Sequence, residues 1–129
     1  METIGPYFRR YTTQYTGMLA HWIQRATGLL LLVYLFVHVH TIRELRMGPQ
    51  AFDSALKAFH HPLFRLLEIA LLGTVILHAL NGVRITVIDL GWGGTGQRKL
   101  FWACTVGLGL VIFLAGAIPL FLYSFLKRV

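Results

Sequence analysis

The stretch Ile69-Ala-Leu-Leu-Gly-Thr-Val-Ile-Leu-His-Ala-Leu-Asn-Gly-Val83 decides the fold. It is apolar enough to be the middle of a membrane-spanning helix, yet it carries His78. An imidazole is costly to place in lipid, so it faces a partner inside a bundle and marks a functional-site candidate. Neutral imidazole is also a standard axial ligand of haem iron. Asn81, Gly82 and Arg84 follow within two turns. A ligand, a small residue and a cation at this spacing suit a buried haem with acidic propionates.

Composition agrees with a membrane class. The chain has 129 residues, of which 56% are hydrophobic and 13% charged. Soluble domains of this size share apolar and charged residues more evenly. A span needs about 20 apolar residues, so three spans and their loops nearly fill one domain covering 1–129. Cys104 is the single cysteine, lies in an apolar run and reads as a small buried hydrophobe. The net charge of +7 does not indicate nucleic acid, because the basic residues stand at the ends of apolar runs. That placement fits lipid headgroup contact.

The spans are placed at about 22–40, 63–88 and 100–126, giving an all-α membrane protein. Pro62 opens the second, as proline suits a first helical turn. Pro119 inside the third should kink it or mark a packing irregularity. Residues 1–19 hold no apolar run of signal-peptide length. Residues 42–61 form a hydrophilic connection, within which Pro49–Phe59 reads as a short interfacial helix carrying Phe52, Leu56 and Phe59 on one side. The stretch from Gly91 to Gly96 is a loop. Trp22, Trp92 and Trp102 read as an interfacial belt. Basic residues divide evenly between the two sides, so charge does not set the orientation.

At about 100° per residue, His38 shares a stripe with Gln24, Thr27, Leu31 and Tyr34. That stripe is expected to face the bundle. His78 shares a face with Thr74, Asn81 and Gly82. His40, His60 and His61 read as solvated loop or interface residues, and Arg25 and Arg84 read either as snorkelling cations or as cofactor partners. His38 and His78 differ in depth by roughly 10 Å in antiparallel spans, at about 1.5 Å per residue. They are therefore not expected to clamp one iron, and each needs a partner from another chain.

Two segments carry a resemblance. His21-Trp-Ile-Gln-Arg-Ala-Thr-Gly28, leading to Leu35-Phe-Val-His38, and Leu77-His-Ala-Leu-Asn-Gly-Val-Arg-Ile-Thr-Val-Ile-Asp89 resemble the cytochrome b membrane-anchor subunit of succinate dehydrogenase. The second-span pattern His-x-x-x-Gly-x-Arg-x-x-x-x-Asp is met in full by His78, Gly82, Arg84 and Asp89. In the first motif the family histidine is Gln24, and the serine falls at His21.

The resemblance implies half of a heterodimeric anchor bundle in respiratory complex II. Its implied partners are a second membrane-anchor subunit, the iron–sulfur subunit, the flavoprotein subunit and membrane lipid. His78 would be an axial ligand of haem b at the interface with the second anchor. His38 would serve a second haem if the chain follows two-haem members. Arg25, Thr27, Asn81, Gly82 and Arg84 would line the haem pocket or meet its propionates. His21, Gln24 and Arg25 would form the site for ubiquinone or menaquinone. His21 would be the proton donor there, since an amide such as Gln24 does not titrate near neutral pH. The amino terminus would face the cytoplasm of a prokaryote, with the chain in its inner membrane and no active site of its own. A fumarate reductase anchor, another dihaem cytochrome b and a haem-free structural anchor are the alternatives.

Overall fold

A computed structural model describes residues 4–92 and 96–126, without the side chains of 4–13, 58 and 124. It is helical, with no strand among the described residues. Helix α1 runs Ile4–Glu44 and ends in a 3-10 turn, Leu45–Met47. Helix α2 is Pro49–Ala58, α3 is Pro62–Asp89, α4 is Gln97–Leu100, a π-helical stretch covers Phe101–Leu108, and α5 is Gly109–Leu126. Three segments are long and apolar enough to cross a membrane: Gln14–Met47, Pro62–Asp89 and Gln97–Tyr123.

The second span matches its expected limits to within a residue. The first is longer than the expected 22–40, because helix continues through the polar, aromatic residues before Trp22. Polar side chains end an apolar run without ending a helix, since each backbone bond is satisfied within the helix in any solvent. The short interfacial helix appears as α2, entered after Gly48 at φ 109°, a left-handed backbone that favours glycine. Phe59, just past its end, packs edge-to-face on Phe64 at 5.1 Å and so ties α2 to the start of α3. His61 caps α3: its Nδ1 accepts from the Leu63 amide at 3.2 Å, with Pro62 in the first turn. Helix α5 contains Pro119 and continues to Leu126, and π-helical winding covers Phe101–Leu108.

Helix α3 is central. It packs on α1 along one side and on the third span along another. The third span approaches closely over glycines: a Cβ on Gly73 would stand 3.2 Å from Phe113, one on Gly109 3.3 Å from Leu80, and one on Gly116 2.9 Å from Leu72. Small residues let backbones meet where no hydrophobic force drives helices together.

The interior is inverted relative to a water-soluble domain. Its buried members include Thr16, Thr27, Asn81, Arg84 and Thr105 beside Ala20, Ile76, Phe101 and Ala117. Large apolar side chains such as Leu29, Phe36, Val83 and Val111 face outward. Lipid solvates apolar groups and penalises polar ones, so the polar side chains turn inward. Trp22 and Trp102 are exposed on the half of the bundle nearer the amino terminus, and Trp92 lies just beyond the end of α3. Cys104 is half-buried in the π-helical stretch rather than fully enclosed.

Candidate functional site

The polar stripe of α3 meets α1 in one connected set of hydrogen bonds. Asn81, fully buried, donates through Nδ2 to the Ala20 carbonyl at 2.8 Å and to Gln24 Oε1 at 3.0 Å. Gln24 Nε2 lies 3.4 Å from His78 Nε2, at the long end for a hydrogen bond. On the other side of the ring, His78 Nδ1 lies 3.0 Å from Thr27 Oγ1.

The tautomer follows from Thr27. Its hydroxyl donates to the Ile23 carbonyl at 2.6 Å, with the Gln24 carbonyl farther at 3.2 Å. A hydroxyl has one proton, so it meets His78 with a lone pair and His78 Nδ1 carries hydrogen. The Nε2 lone pair then faces Gln24 and accepts from its amide. This is the form in which an imidazole binds a metal through Nε2, with Nδ1–H fixed by a neighbouring acceptor.

Close backbone approach makes the arrangement possible. A Cβ on Gly28 would stand 3.2 Å from His78 Cε1, and one on Gly82 3.3 Å from Gln24 Nε2. Each glycine sits opposite a member of the network. Gln24 therefore takes the place of the expected family histidine with a defined role. Its carbonyl oxygen accepts from Asn81 while its amide reaches the imidazole.

The other candidates separate. Arg25 and Arg84, both open to a snorkelling reading, differ in fate. Arg25 is exposed, whereas Arg84 is 4% exposed and its guanidinium lies 5.3 Å over the Phe101 ring. His21 is exposed and meets Trp22 edge-on at 6.2 Å. His21 and Arg25 lie one turn apart on an open flank, and Gln24 borders it from inside. The three therefore form no closed pocket within this chain.

His38 departs from the inward stripe expected of it. Gln24 and Thr27 turn toward α3, but Tyr34 and His38 are exposed, stacked at 5.4 Å with Tyr34 Oη 3.2 Å from His38 Nδ1. His78 is level with Thr27, so His38 stands farther along by roughly 16 Å at about 1.5 Å per residue. That exceeds the expected offset and keeps the two histidines off a shared iron. Among the described residues no group of three or more His, Cys, Asp or Glu side chains gathers to hold a metal.

Two features lay beyond sequence reading. One is Phe101 as the platform under Arg84. The other is Thr105, fully buried in the π-helical stretch with an unpaired hydroxyl. Helix-to-helix register across an uncharted loop hid both.

Residues 2–118 match the family described as the succinate dehydrogenase/fumarate reductase transmembrane subunit. The chain is 35% identical over 116 residues to a succinate dehydrogenase hydrophobic membrane anchor subunit of Halobacterium salinarum, covering 89% of this chain and 88% of that one. It is 36% identical over 88 residues to the succinate dehydrogenase 2 membrane subunit SdhC of Mycobacterium tuberculosis, covering 67% of this chain and 64% of that one.

Proposed function

This chain belongs to the succinate dehydrogenase/fumarate reductase transmembrane-subunit family, and from that premise we propose that it anchors a succinate:quinone oxidoreductase, binds haem b and helps form the quinone site. The observation that carries the haem reading is the His78 tautomer. Thr27 holds Nδ1–H and leaves Nε2 as a lone-pair donor. The residues present fit the group: one fixed imidazole, a glycine-lined seam, and a buried arginine within two turns of helix.

In this reading His78 is one axial ligand, and the partner anchor subunit supplies the other. Bound haem contributes a one-electron store whose potential is tuned by ligation and burial. Gln24 yields its contact with Nε2, while Asn81 and Thr27 keep the ring in place. Arg84 would favour acidic propionates, and Asn81 and Gly82 would line the pocket. His21 and Arg25 offer an exposed proton donor and a cation to quinone, ubiquinone or menaquinone, where the iron–sulfur subunit approaches. The complex is completed by the flavoprotein subunit. The chain lies in a prokaryotic inner membrane with its amino terminus in the cytoplasm. Direction of electron flow, toward quinone or toward fumarate, follows the quinone potential.

One observation favours a second reading, a structural anchor without haem. Gln24 and Thr27 between them already engage both ring nitrogens of His78. Purification of the intact complex separates the two. Flavin, iron–sulfur signals and a reduced haem b band should appear together, at one haem per flavin. A ratio of two that drops to one in His38→Ala would add the outer haem. A colourless complex that retains flavin and iron–sulfur signals would establish the structural anchor.

Thr27→Val tests the tautomer lock at constant volume. Second-shell losses of this kind weaken metal binding by about 10–100-fold. Haem should therefore dissociate more readily on dilution or heating, and its midpoint potential should move. A variant that retains haem as firmly as the parent would refute the role given to Thr27.

A further inference from the structure

Thr105 is the least explained polar group in the interior. It is fully buried, and its hydroxyl has no hydrogen-bond partner. Other span threonines behave differently. Thr27, Thr41, Thr74 and Thr86 each donate to the carbonyl four residues back, at 2.6–3.0 Å. Those four stand in α-helical backbone, whereas Thr105 stands in the π-helical stretch Phe101–Leu108. The wider winding displaces the carbonyl that would have received its proton.

Two further buried side-chain atoms, both on α3, are unpaired. Asn81 Oδ1 and Arg84 Nε both lack partners. The register of α3 against the third span places Thr105 level with Asn81, one turn from Arg84. Phe101 lies under Arg84, and Gly109 faces Leu80 and Ile76. Thr105, midway between Phe101 and Gly109, is then level with Leu80 and Asn81. An acceptor and a hydroxyl thus stand at one level among buried residues, with a cationic donor one turn along.

We infer that a bound water molecule bridges Asn81 Oδ1 and Thr105 Oγ1 and accepts from Arg84 Nε. Buried waters take two to four polar partners of this kind. Leaving a buried polar group unpaired is destabilising, so two such atoms at one level favour a shared partner. The water also extends the hydrogen-bonded set. Thr105 and Arg84 would hold Asn81, Asn81 holds Gln24, and Gln24 touches His78. The π-helical turn becomes a positioning element for the α1–α3 network.

The test compares Thr105→Val with Thr105→Ser in the purified complex. Valine keeps the shape and removes the hydroxyl; serine keeps the hydroxyl and removes a methyl. With the water bound, Thr105→Val should lower the apparent unfolding temperature more than Thr105→Ser. If Thr105 only fills space, the order reverses, because removing an unpaired buried hydroxyl relieves a penalty. Equal or reversed order therefore overturns the inference. A structure of the complex at a resolution that shows ordered water gives a second readout that does not need the variants to fold. Water density touching Asn81 and Thr105 is expected, and a direct Asn81–Thr105 bond without it would also overturn the inference.

Discussion

His78→Ala is expected to abolish the haem b band of the purified complex. The reduced-minus-oxidised spectrum should lose its haem signal, and the haem-to-flavin ratio should fall from one toward zero. Flavin and iron–sulfur content should persist, because those groups belong to other subunits in the proposed assembly. The substitution also strips partners from Thr27 and Gln24. Their lone pair and amide are partly buried, so a stability cost of about 1–3 kcal/mol accompanies the spectral loss. Unfolding temperature separates the two effects: haem loss in a complex that still assembles identifies a ligand. An unchanged band and ratio would sink the assignment.

Arg25→Ala should mainly damage quinone chemistry. Arg25 is exposed on the flank of α1 that also carries His21, outside the seam that holds Asn81 and His78. Its removal therefore disturbs packing little. A lost charged hydrogen bond is worth about 1.5–3 kcal/mol, so quinone reduction should fall by about 10–100-fold. Succinate oxidation by an artificial dye bypasses the quinone and should stay near the parent rate. Equal loss in both assays would remove Arg25 from the quinone site. Arg84 offers no such clean comparison, because burial over Phe101 makes its removal a packing change as well.

The contrast between these two arginines shows where sequence reading stops. Hydropathy placed the spans because lipid penalises every misplaced polar group, so the signal is strong and local. The same penalty singled out His78 and Asn81: Asn81 is fully buried, and His78 is half-buried against Thr27 of α1. Pairing across helices is a different matter. Whether Arg84 snorkels or turns inward depends on Phe101, a residue beyond a loop whose length does not fix register. The inward stripe of α1 held through Gln24 and Thr27 and failed at Tyr34 and His38, since periodicity gives a face but not which of its residues a neighbour touches. The π-helical turn has no sequence signature of its own. Its trace is the unpaired hydroxyl of Thr105.

Helix α1 carries one last consequence. Ala20 and Thr27 are level with Asn81 and His78, which puts the end of α3, at Asp89, about level with residue 13. The backbone of α1 nevertheless begins at Ile4. At about 1.5 Å per residue, the helix overhangs its neighbour by roughly 14 Å. The overhang and the part that bears Gln24, Arg25 and Thr27 are one unbroken rod. A push, pull or twist on the projecting tip is a torque on the residues that grip His78, much as turning a key acts on a lock.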